Sequence, residues 1–71
     1  MSTKKELLGQ RIKFFRESRK FTQEKLAEMV DISTKYLNMI ENRKANPTIL
    51  VVVKICTALN IELETIYKIQ S

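Results

Sequence analysis

Seventy-one residues, 44% hydrophobic and 30% charged, can bury one small core; they exclude a disordered chain and leave no room for a second core, so residues 1–71 are read as a single domain. The formal net charge of +5 is unevenly placed: residues 1–47 carry 11 Lys/Arg against 6 Asp/Glu and residues 48–71 carry 2 against 2, a distribution that suits a polyanion on one face. With no His, one Cys and one Gly, the chain has no imidazole base, no internal disulfide, no cysteine-cluster zinc site and no glycine-rich phosphate loop, so neither catalysis nor a cofactor is expected.

In chain order, Thr3-Lys4-Lys5-Glu6 is a capping-box pattern that opens a first helix. Leu8, Ile12 and Phe15 recur at i, i+4 and i+7, and this helix is expected to run to about Lys20. Phe21 falls in the connection, tucked under the next helix. Thr22 is the N-cap of a second helix over Gln23–Val30, on which Leu26, Ala27 and Val30 share one face. Ala27 is small enough to let a neighbouring helix backbone approach closely. Ile32 lies in the turn, and Ser33 caps a third helix over Thr34–Asn42 with Leu37 and Ile40 on its buried face. Only about three residues separate these two helices, the spacing of a helix-turn-helix, a unit that lays its second helix in a DNA major groove. Arg43–Asn46 is a polar loop ended by Pro47.

The stretch Thr48–Leu59 is ambiguous on propensity, because Ile49-Leu50-Val51-Val52-Val53 has the composition of a buried strand. A lone strand would have no partner in an otherwise helical chain, and Pro47-Thr48 is a good helix start, so a fourth helix is expected. Ile49, Val52, Val53, Cys56 and Leu59 trace one face and are assigned to the core, with Cys56 a small buried residue. That assignment turns Leu50, Val51 and Ile55 outward. Together with Ile69 they would form an apolar patch, expected to be a homodimer interface. Asn60 can take the left-handed conformation that ends the helix, and a last helix, Leu63–Ile69, contributes Leu63, Ile66 and Tyr67. Phe14 and Met29 fall at exposed positions without an evident role. The N-terminus lacks a signal-peptide apolar stretch, and the longest apolar run, Ile49–Val53, is far too short to cross a bilayer; a cytoplasmic protein with no membrane partner is expected.

From Leu8 to Tyr67 the sequence resembles the Cro/C1-type helix-turn-helix regulators, through GQRIKFFRESRKFTQEKLAEM, DISTKYLNMIENRKANPT and VKICTALNIELETIY in order and with intact spacing. The TQEKLA and IENRKANPT segments are the more specific parts. The resemblance implies an all-α, compact five-helix, lambda repressor-like DNA-binding domain with the helix-turn-helix at helices 2 and 3. It implies a sequence-specific transcriptional regulator, a repressor or autoregulator, binding double-stranded DNA as a homodimer, with no small-molecule ligand evident. It also implies a buried ion pair, carried here by Arg16 and Glu41. The family's base-reading positions fall on Thr34, Lys35, Asn38 and, one position deeper, Met39. Gln23 matches the family's backbone-contacting glutamine, with Thr22, Tyr36, Asn42, Arg43, Lys44 and Asn46 as its companions on phosphate. A protein-interaction adaptor or an antitoxin-like partner built on the same fold is the rival reading.

Three turns depart from the family pattern. Many relatives carry glycine where this chain has Lys20, Asp31 and Arg43. Asp tolerates the left-handed region, whereas Lys and Arg do so less readily: either these turns hold about 1 kcal/mol of strain each or their paths differ in detail.

Overall fold

A computed structural model describes the backbone of residues 4–67 and the side chains of residues 8–67. Among the described residues five helices follow one another: α1 (Lys4–Ser18), α2 (Gln23–Val30), α3 (Thr34–Glu41), α4 (Ile49–Leu59) and α5 (Leu63–Tyr67). The capping box expected at Thr3 lies outside the described residues; α2, α3 and α4 each begin on a hydroxyl cap. Thr22 Oγ1 accepts from the amide of Lys25, Ser33 Oγ from that of Tyr36 and Thr48 Oγ1 from that of Val51, each satisfying an amide the first helical turn leaves free.

Four helices end in the same way. Within two residues of the helix end one residue turns left-handed, and its own amide and the next one bond back into the last turn, at Lys20 (φ 62°), Asp31 (φ 61°), Arg43 (φ 65°) and Asn60 (φ 59°). After α1, for example, the Lys20 amide donates to the Glu17 carbonyl and the Phe21 amide to that of Arg16. The residue after each turn then drops onto the core in three of the four cases, as Phe21, Ile32 and Ile61. Helix 1 therefore stops at Ser18, two residues short of the expected Lys20, because the cap and not the apolar repeat decides its end. Lys20, Asp31 and Arg43 all take the left-handed conformation that glycine adopts without strain, which decides between the two alternatives in favour of local strain.

The only glycine of the chain serves a different purpose. A Cβ placed on Gly9 would collide with the carbonyl oxygen of Ile40 and lie 3.2 Å from that of Glu41. Gly9 thus lets α1 cross directly against the backbone at the end of α3. Ala27, also buried, sits in α2, which packs on both α3 and α4. The core is built from Leu8, Ile12, Leu26, Ala27, Val30, Leu37, Ile40, Val52, Ile55, Cys56, Leu59 and Ile66.

The face of α4 differs from expectation. Val52, Ile55, Cys56 and Leu59 are buried, while Ile49 and Val53 are 59% and 41% exposed. Ile55 has no exposed surface and so offers nothing to a partner; it leaves the expected interface and joins the core. The reason is that five consecutive apolar residues at the start of α4 satisfy more than one helical face equally well. Leu50 remains outward at 62% exposure, and Val51 is half-buried against the core. In α5, Ile66 is buried whereas Leu63 and Tyr67 lie at the surface. Ile69, expected in the interface, lies outside the described residues. No helix among them is long and apolar enough to cross a membrane.

Candidate nucleic-acid interface

The helix-turn-helix is held by one polar cluster at the junction of α1, α2 and α3. Arg16 Nε donates to Glu41 Oε2 at 2.7 Å and Arg16 Nη2 to Oε1 at 3.1 Å, so the planar guanidinium meets both carboxylate oxygens. Its Nη1 donates to the carbonyl of Phe21 at 2.7 Å, which ties the strained α1–α2 turn to the same group. Both side chains are buried, and the bond to the Glu41 carboxylate raises the Arg16 guanidinium above its ordinary range despite the opposing effect of burial. Among the described residues, no buried side-chain nitrogen or oxygen lacks a hydrogen-bond partner.

From this pair a chain of hydrogen bonds runs outward. Gln23 Nε2 donates to Glu41 Oε1 at 3.0 Å, and Asn38 Nδ2 donates to Gln23 Oε1 at 3.3 Å. Asn42 Nδ2 then donates to the backbone carbonyl of Asn38 at 2.9 Å, closing the exposed end of α3. Leu37, Ile40 and Glu41 form the buried side of α3, which leaves Lys35 and Asn38 exposed on the other and Thr34 and Met39 half-buried at its margins. Tyr36 is half-buried and packs on the core. Thr22, Asn42, Arg43, Lys44 and Asn46 are exposed, flanking α3 at the start of α2 and along the α3–α4 loop, while Gln23 is half-buried by its bond to Glu41.

Two features were missed in the sequence. Lys13, an exposed residue of α1, lines one shallow depression with Asn42 and Arg43, and Glu17 and Glu41 line it too. Nothing local marks Lys13 apart from other surface lysines. The Gln23–Asn38 bond joins residues 15 apart and depends on how α2 crosses α3. Phe14, 63% exposed, borders the same depression and meets Phe15 edge-to-face at 5.2 Å. Cys56 is buried, and desolvation pushes its thiol above the ordinary range, so it is held as the neutral, unreactive form.

This architecture, five helices with a capped α2–turn–α3 unit, defines a helix-turn-helix domain, and a helix-turn-helix family model matches residues 12–66. The chain belongs to the Cro/C1-type helix-turn-helix regulator family. It is 41% identical over 59 residues to the immunity repressor protein of Bacillus phage phi105, covering 83% of this chain and 41% of that protein. The HTH-type transcriptional regulator SinR of Bacillus subtilis is 33% identical over 61 residues, covering 84% of this chain and 55% of SinR. The chain therefore spans about half the length of these curated relatives. A crystal structure of SinR in complex with DNA superposes with a TM-score of 0.79 at 32% identity, over 86% of this chain and 98% of that one. The restriction-modification controller protein C.AhdI of Aeromonas hydrophila superposes with a TM-score of 0.84 at 27% identity, over 87% and 94%.

Proposed function

We propose that this protein is a sequence-specific transcriptional regulator, a repressor or autoregulator, that binds a two-fold operator as a homodimer with α3 in the major groove. The observation that carries the reading is the exposed polar side of α3, where Lys35 and Asn38 stand clear of the buried Leu37, Ile40 and Glu41. Lys35 can donate to guanine O6 and N7, and Asn38 can pair with adenine N6 and N7. Thr34 brings a hydroxyl and a methyl to the margin of that surface, and Met39 can pack on a thymine methyl. Thr22, Gln23, Tyr36, Asn42, Arg43, Lys44 and Asn46 hold the backbone, and Lys13 joins them. Such contacts set register without reading sequence. About six neutralised phosphates per dimer would give a log–log salt slope near −5.

One such domain buries little DNA surface, and a pair on a two-fold site is the usual remedy. Leu50 and Val51, now joined by Ile49 and Val53, supply the apolar surface for that pairing at the N-terminal half of α4. The kinship with a phage immunity repressor and with SinR, which has been crystallised on DNA, supports a regulator of transcription.

Selection from random duplex DNA at moderate salt tests the proposal. An enriched inverted repeat with half-sites about one helical turn apart is the expected outcome. Salt-sensitive binding without any enriched sequence would overturn it and favour a protein-interaction adaptor.

A further inference from the structure

Phe14 serves neither the core nor the surfaces assigned above to DNA and to pairing. At 63% exposure it is the most exposed large apolar side chain among the described residues, and it stands on α1, whereas Ile49, Leu50 and Val53 share α4. A lone surface hydrophobe needs no explanation, but this one belongs to a built platform. Its ring meets Phe15 edge-to-face, with centroids 5.2 Å apart, and Phe15 in turn packs on the core. The guanidinium of Arg19 lies 5.5 Å from the centre of the Phe15 ring. Arg11 falls one helical turn before both rings. Together Gln10, Arg11, Phe14 and Phe15 line an open hollow of about 330 Å³, large enough to seat one apolar side chain.

The charge around this platform is one-sided. Arg11, Lys13, Arg19 and Arg43 enter no ion pair among the described residues. The neighbouring acids are engaged: Glu41 is buried against Arg16, and a Glu17 carboxylate oxygen lies 3.8 Å from Arg16 Nη2. Aromatic rings bordered by unpaired guanidinium groups are complemented by an apolar side chain flanked by carboxylates. A duplex backbone fits less well, since it brings anionic oxygens but little apolar surface to cover Phe14.

We propose that the α1 surface around Phe14 docks an acidic, amphipathic segment of another protein, which seats an apolar residue against Phe14 and its carboxylates on Arg11 and Arg19. Aromatic and arginine side chains are those that most often anchor protein interfaces. Phe14 also borders the depression lined by Lys13, Asn42 and Arg43. A segment lying across Phe14 reaches these groups, so the partner and DNA exclude each other. That exclusion rests on the DNA-binding reading above; the docking itself does not.

Selection of a displayed library of random peptides on the whole chain tests the docking. The enriched peptides should set a Leu, Phe or Trp among Asp and Glu. A synthetic copy of the strongest should bind Phe14→Ser and Arg11→Glu at least about tenfold more weakly, while the same charge change at the exposed Lys25 of α2 leaves it unaffected. Phe14→Ser should unfold near the wild-type midpoint and hold the selected operator within about twofold of wild type. Peptides without an acidic bias, peptides that bind Phe14→Ser undiminished, or a library that yields no binder would each overturn the docking. Equal losses on peptide and DNA would also overturn it and make Phe14 a DNA contact. Saturating peptide should release the operator, and a ternary complex would overturn the exclusion. A wild-type chain with no enriched DNA site would instead overturn the DNA-binding reading, and the peptide result would still decide the docking.

Discussion

Arg16 ties α1 to the end of α3 and to the α1–α2 turn, since it bonds at once to Glu41 and to the backbone carbonyl of Phe21. Removing either partner of a buried pair strands a charge, and Arg16→Ala or Glu41→Ala should each cost roughly 3–5 kcal/mol, measurable as a shift in urea midpoint. In a domain of this size that is most of the available stability. Replacing both by apolar residues of similar volume should recover much of the loss, though Gln23 would then have no carboxylate to face. The guanidinium is raised above its ordinary range, so its charged form is favoured on folding. That stability is fully present at every pH below the ordinary guanidinium range and is lost only as pH rises through the folded value, in strong alkali. Readout and positioning separate at the same scale. Asn38→Ala should lower affinity for the selected site by about 1–3 kcal/mol and leave non-specific binding nearly intact. Lys44→Ala should weaken both and flatten the salt slope by about one unit. Identical behaviour of the two variants in filter-binding titrations would refute the assigned roles.

At the scale of elements, helix ends and helix crossings make opposite demands on glycine. The left-handed caps at Lys20 and Arg43 carry side chains where glycine would be unstrained, whereas Gly9 stands where any side chain would strike the α3 backbone. Lys20→Gly is therefore expected to raise stability by about 0.5–1 kcal/mol, the strain released less the added freedom of the unfolded chain. Arg43→Gly should stabilise similarly while weakening DNA binding, because the proposed phosphate contact goes with the side chain. Gly9→Ala, a change that favours an isolated helix, should here destabilise by about 1–3 kcal/mol, since backbone must shift to admit the methyl group. Thermal denaturation of the three variants gives the signs directly; a more stable Gly9→Ala protein would contradict the tight α1–α3 crossing.

For the whole molecule, the proposed pairing surface and the core meet along α4. Leu50→Glu adds a charge at an exposed position, so the monomer should stay folded while dimerisation fails and affinity for the two-fold site falls at least about tenfold. Sedimentation equilibrium with operator titration would check this, and an unchanged dimer would move the interface elsewhere. Ile55→Glu should unfold the chain, because Ile55 is wholly enclosed. The contrast between these two substitutions separates an interface residue from a core residue on one helix.

The helix starts at Thr22, Ser33 and Thr48 were legible without coordinates, since a cap is a local event between a side chain and an amide three residues on. So were the helix-turn-helix spacing and the amphipathic faces of α2 and α3, where polar and apolar residues alternate at helical period. The buried face of α4 was not. Ile49-Leu50-Val51-Val52-Val53 is apolar all round, and periodicity cannot choose among faces that look alike; only the packing of α4 on α2, α1 and α5 selects Val52 and Ile55 over Ile49 and Val53. The same holds for Gln23 and Asn38. Their residue types and places in the chain suggested DNA contact, but the bond that orients them depends on the crossing of two helices, which no local pattern encodes.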